Sequence, residues 1–167
     1  MKLKPPASHH LDAAEGWLGL GNTAEAAAEL ALIAPASQSH HDVLELSWQI
    51  SASEQNWQKC VEIAAHLVRN EPGRAFGWVH RSYALRRAAG GGLKIAYDSL
   101  LPAADKFPKI WLIPYNLACY ECQMGNLIAA QTWLTKASAR GEAETLKRMA
   151  MNDPDLTPLR DWVKTVF

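Results

Sequence analysis

No apolar stretch in this chain approaches the roughly 18 residues that a membrane-spanning helix needs, so a membrane partner is not expected. Net charge is missing too, because 17 Lys and Arg balance 17 Asp and Glu. A general nucleic-acid binder needs a cationic surplus to neutralise phosphates, which argues against nucleic acid as a partner, helical-repeat RNA binding included. Cysteine is scarce: three residues, an odd number that cannot all pair. Reduced thiols in a cytoplasmic protein are the plain expectation. Only nine prolines and ten glycines interrupt a chain that is 49% hydrophobic, which excludes a disordered tail. The opening Met-Lys-Leu-Lys-Pro-Pro has no apolar run behind it and does not read as a secretory signal.

What the chain does have is a beat. Ala26, Cys60, Ala96 and Ala130 follow one another at 34, 36 and 34 residues. A period near 34 is the mark of stacked helix–turn–helix units, each burying one face against the next. Around each mark, apolar residues recur at three and four, as in Trp57, Cys60, Val61, Ala64 and Leu67. That is helical periodicity, and no strand pattern competes.

Punctuation places the helices. The arm through Ser8 is expected to be irregular because of Pro5 and Pro6. Leu11–Leu20 reads as a helix stopped by Gly21-Asn22, after which Thr23 caps a helix running to about Ile33. Asp42–Ser53 pairs with Trp57–Arg69, then Arg74–Ala88 with Lys94–Ala104. Gly90-Gly91-Gly92 between the last two supplies the two extra residues of that period, as a hinge or, more plainly, as an absorbed insertion. A helix starting near Ile113, with Pro114 in its first turn, runs to Met124 and pairs with Leu127–Ala139. Glu142–Met151 and Thr157–Val166 close the chain around Asn152-Asp153-Pro154-Asp155. The expectation is one domain over 1–167: an arm at 1–7, repeats at 8–40, 41–74, 75–110 and 111–140, and a capping segment at 141–167.

Ala26-x3-Leu30, Ala96-x3-Leu100 and Ala130-x3-Leu134, with Cys60-x3-Ala64 more weakly, resemble the A-x3-F half of the tetratricopeptide repeat. Trp78 and Ser82 stand where its first half has Trp and a small residue, whereas Ser47-Trp48 departs from that pattern. Residues 114–166 are similar to the end of stand-alone bacterial tetratricopeptide proteins, through Pro114-Tyr115-Asn116-Leu117-Ala118-Cys119-Tyr120 and Asp153-Pro154-Asp155-Leu156-Thr157-Pro158-Leu159. The resemblance implies an all-α, right-handed superhelical solenoid of about four helix pairs plus a C-terminal capping helix. It further implies a non-catalytic adaptor or scaffold that takes a peptide or helix in its concave groove.

By the same resemblance, the first helix of each unit lines that groove. The implied partner-binding residues are Gln49, then Phe76, Val79, Tyr83, Arg86 and Arg87, then Leu112, Tyr115, Cys119 and Gln123. Tyr83 with Arg86 and Arg87 sets an aromatic beside two cations, residue types enriched in binding hot spots, although a solvated basic helix end has the same composition. The family's clamp for C-terminal carboxylates uses Lys and Asn at two groove positions. Here those positions hold Leu11, Glu45, Val79, Tyr115 and Glu15, Gln49, Tyr83, Cys119, so a chaperone-tail acceptor is not expected.

Other constellations read as structure. Cys119-x2-Cys122 lacks the second pair of a zinc site, which leaves a thiol- or metal-dependent activity there as the lesser alternative. His9-His10 and His40-His41 would each diverge by about 100° on a helix and offer one ligand, not two, to a common site. Seven tryptophans fall mostly at core spacings; Trp111 and Trp162, near irregular segments, are the ones expected at exposed interfaces. No catalytic triad, carboxylate pair or phosphate loop assembles, so no catalytic residue, metal or cofactor is expected. Self-assembly is the structural alternative, a homo-oligomer in which Trp162 and Phe167 cap the solenoid or bridge to another copy.

The neutral total hides an imbalance: residues 1–70 carry four Lys/Arg and eight Asp/Glu, and residues 71–167 carry thirteen and nine. Recognition of a charged partner is therefore predicted to weaken as salt rises. Partner capture that is equal at low and high ionic strength would contradict this.

Overall fold

The computed structural model describes residues 2–166, which form ten α-helices and no strand. No helix among the described residues is long and apolar enough to cross a membrane. The chain divides into two compact units, residues 1–84 and 85–167.

Unit 1 contains α1 (Ala7–Gly19), α2 (Thr23–Ala31), a 3-10 turn at Pro35–Ser37, α3 (His41–Ser53), α4 (Trp57–Asn70) and α5, which begins at Ala75 and ends at Leu85. Helices pack in sequence order, α1 on α2, α2 on α3 and α3 on α4. Helix α1 starts at Ala7, earlier than the sequence implies. A proline immediately before a helix costs nothing there, because the first helical N–H groups have no partner in any case. Leu11, Ala14, Ala26, Leu30, Val43 and Leu46 form the core between α1, α2 and α3. Helix α5 approaches α4 through Gly77, where a Cβ would meet Leu67 Cβ at 3.0 Å.

Unit 2 contains α6 (Leu93–Lys106), α7 (Leu112–Gln123), α8 (Leu127–Ser138), α9 (Ala143–Asn152), a 3-10 turn at Pro154–Leu159 and α10 (Arg160–Val166). Helix α7 packs on α6, α8 and the 3-10 turn. Its core gathers Ala118, Ala130, Leu134, Leu146, Leu156 and Val163. Trp111 and Trp162, expected at exposed interfaces, pack against this core instead; the exposed tryptophan is Trp17. Phe167 lies outside the described residues.

The turn inside three of the helix pairs is the same device. Gly21, Gln55 and Gly125 adopt left-handed φ of 78°, 57° and 86°. The asparagine that follows each donates its N–H back into the preceding helix, Asn22 to Trp17 O (2.9 Å), Asn56 to Ser51 O (2.8 Å) and Asn126 to Glu121 O (2.9 Å). Asn22 and Asn56 then cap the next helix, each Oδ1 accepting from a backbone N–H at 3.2 Å. The cap of α2 is thus Asn22 and not Thr23. The glycine run replaces this turn after α5, which stops at Leu85 and not near Ala88. Gly91 N–H donates to Ala88 O and Gly92 N–H to Leu85 O, both at 3.0 Å, and a Cβ on Gly91 would lie 1.8 Å from Leu85 O.

Two substitutions of opposite sign follow. Gln55→Gly removes left-handed strain and should stabilise by about 0.5–1 kcal/mol, net of the entropy glycine adds to the unfolded chain. Gly91→Ala forces a backbone shift and should destabilise by about 1–3 kcal/mol or more. Urea unfolding midpoints measure both.

Candidate functional site

The residues implied for partner binding fall into two groups, one in each unit. In unit 2, Tyr115, Cys119 and Gln123 share a face of α7 at four-residue spacing. The chain's own Asp153–Leu159 lies against that face, where Tyr115 and Cys119 are buried and Gln123 stays exposed. Asp153 caps the 3-10 turn, its Oδ1 accepting from Asp155 N–H at 2.9 Å, and its Oδ2 accepts from Tyr115 OH at 3.0 Å and from Cys119 Sγ at 3.6 Å. Gln123 Nε2 donates to Asp155 O at 2.9 Å. Arg86 forks both carboxylate oxygens of Asp155, Nη2 reaching Oδ1 at 2.7 Å and Nη1 bonding Oδ2. Leu156 and Leu159 anchor the segment in the core.

Arg86, Tyr115, Cys119 and Gln123 are therefore occupied from within the chain. Arg87 is exposed and Leu112 is half-buried in the first turn of α7. The electrostatics follow the burial. Desolvation, with Asp153 and Asp155 nearby, pushes the Cys119 thiol and the Tyr115 phenol well above their usual ranges. Burial also raises Cys122, and lifts Cys60 to about 11. The bond to Asp155 raises the Arg86 pKa further and keeps that guanidinium charged. Thiols held protonated at neutral pH are poor nucleophiles and poor metal ligands.

In unit 1, Phe76 and Tyr83 belong to a cluster that sequence reasoning did not assemble. Trp48 is buried at its centre, edge-on to Phe76 (ring centroids 6.0 Å apart), His80 (4.5 Å) and Tyr83 (6.1 Å). Phe76 stacks on His80 at 3.6 Å, and Trp57 holds Tyr83 from another side at 5.9 Å. Burial lowers the His80 pKa, and its neutral ring is fixed by a 2.9 Å contact between Nδ1 and Phe76 O. The i, i+4 spacing of Phe76 and His80 was the available clue. Val79 is buried and faces the core. Gln49 and Tyr83 are exposed, Tyr83 at 39%.

One repeat position joins the two groups. Glu15, Gln49 and Tyr83, spaced by 34 residues, are all exposed, whereas Cys119, next in the series, is 4% exposed beneath Asp153.

The histidine pairs behave differently from one another. His9 is exposed and His10 Nδ1 contacts Glu29 Oε2 at 2.8 Å. His40 and His41 do not diverge: their rings stack with centroids 4.2 Å apart, because His40 lies outside α3 as its cap. Two groups among the described residues bring three metal-ligating side chains together, His40–His41–Asp42 and Cys119–Asp153–Asp155. Both carboxylates of the second are already engaged, Asp155 by Arg86 and Asp153 by the Tyr115 hydroxyl. No protein-family model matches the chain, and no curated protein matches it.

Raised thiol and phenol pKa values make stability sensitive to alkali. Each group binds its proton more tightly in the folded than in the unfolded chain. The contribution is complete below the unfolded thiol value near 9 and declines as pH rises towards the folded values. The melting temperature should hold to about pH 8.5 and fall above pH 9, with a shallower fall in Cys119→Ala; equal slopes would contradict it.

Proposed function

We propose that the chain is a tetratricopeptide-type, non-catalytic interaction module, its helix pairs stacked in a right-handed superhelix, which takes a peptide or helix on the face marked by Gln49 and Tyr83. The observation that carries this reading is the shared repeat position. In unit 2 that position sits beneath a peptide, the chain's own Asp153–Leu156, gripped by an Arg fork, a Tyr hydroxyl and a Gln amide. In unit 1 the same position is exposed, and Tyr83 is held by two tryptophans. A rigid aromatic loses little entropy when a partner covers it, which is the profile of a binding hot spot.

The module works by placing its partner rather than by chemistry. Buried, protonated thiols fit that role and suit a reducing, cytoplasmic setting.

The test is capture of partners by the purified chain, wild type beside Gln49→Ala/Tyr83→Ala, with Arg86 left intact because it holds Asp155. Loss of a hot-spot tyrosine should weaken a captured partner by about 2 kcal/mol, some 30-fold in Kd. Equal affinity for wild type and a folded variant would remove the assignment.

A further inference from the structure

The entry to α3 gathers three ligand-bearing side chains that the peptide-binding reading does not use. We propose that His40, His41 and Asp42 form a binding site for a borderline divalent cation of the zinc, nickel or copper class, with water completing the coordination.

Adjacent residues on a helix diverge, but His40 is the N-cap of α3, with φ −64° and ψ 138°, and only His41 is helical. The break in backbone conformation swings the two imidazoles together into a stack at 4.2 Å. Asp42 faces both: His40 Nδ1 lies 3.5 Å from Oδ2, and His41 Nε2 lies 3.2 Å from Oδ1. One ligand atom from each of the three residues lies within 4.8 Å of the others. Bonds of 2.0–2.2 Å in a tetrahedral shell separate ligand atoms by roughly 3.3–3.5 Å, so the set, in which each nitrogen sits beside a different Asp42 oxygen, must contract somewhat to close on one ion.

The donor set selects the ion. Two imidazoles and a carboxylate suit zinc, copper and nickel, whereas magnesium and calcium prefer oxygen alone. Both histidine side chains are largely buried, at 17% exposure, which limits the rotamer freedom lost on binding. Two effects oppose. The positive end of the α3 dipole disfavours a cation, by about two- to fivefold at the surface, and the Asp42 carboxylate in the first turn counters it. Coordination through Nδ1 also gives up the bond that His40 accepts from Asp42 N–H, which is long at 3.3 Å.

Calorimetric titration of the tag-free, metal-free full chain with Zn²⁺, and in parallel with Mg²⁺, tests the site. Wild type is expected to bind one equivalent of Zn²⁺ and no Mg²⁺. His41→Ala and His40→Asn should each weaken zinc at least tenfold; asparagine keeps a good cap acceptor, so the second variant separates ligation from helix stability. His9→Ala/His10→Ala should leave the affinity unchanged. Absence of zinc binding by wild type, or an affinity unaltered in both His40→Asn and His41→Ala while circular dichroism shows them folded, overturns the proposal.

Discussion

The pairs α1–α2, α3–α4 and α7–α8 each depend on one contact, two helices meeting over a small residue. Ala26, Cys60, Ala96 and Ala130 are completely buried, and a larger side chain at any of them would hold two backbones apart. The residue one turn later is buried as well: Leu30, Leu100 and Leu134, and Ala64 after Cys60. Cys60 shows what the position asks for. Its sulfur lies 3.7 Å from Trp48 O, packed as a small apolar group, and burial holds its proton.

The second constraint is the turn. A left-handed residue followed by asparagine returns the chain within two residues, and its hydrogen bonds close inside the turn itself. Where the glycine run replaces it, two left-handed residues flank one that has no room for a side chain, and the period lengthens accordingly. Rigid turns leave few ways to pair the two helices that each one joins.

The closing segment turns a surface into an interior. Leu156 and Leu159 would not hold Asp153–Leu159 against α7 without satisfying two half-buried carboxylates, and Arg86, Tyr115 and Cys119 do so while Gln123 takes the Asp155 carbonyl. These polar side chains are engaged by a segment of the same chain. At the same repeat position Glu15, Gln49 and Tyr83 stay exposed.

The sequence by itself determined the all-α class, the helix pairs and the residues that mark their contacts, because helical periodicity, the small-residue position and turn chemistry act over a few residues. It also set Tyr115, Cys119 and Gln123 on one face of α7 through their four-residue spacing. Tertiary structure alone decided that Arg86 meets Asp155, 69 residues away, that Val79 turns inward, and that Trp48 gathers Phe76, His80 and Tyr83. It also drew His40 and His41 together, since which of two neighbours is the last residue outside a helix depends on where the helix begins. Local hydrogen bonds are written in adjacent residues. Burial and pairing depend on what a distant segment brings to the same surface.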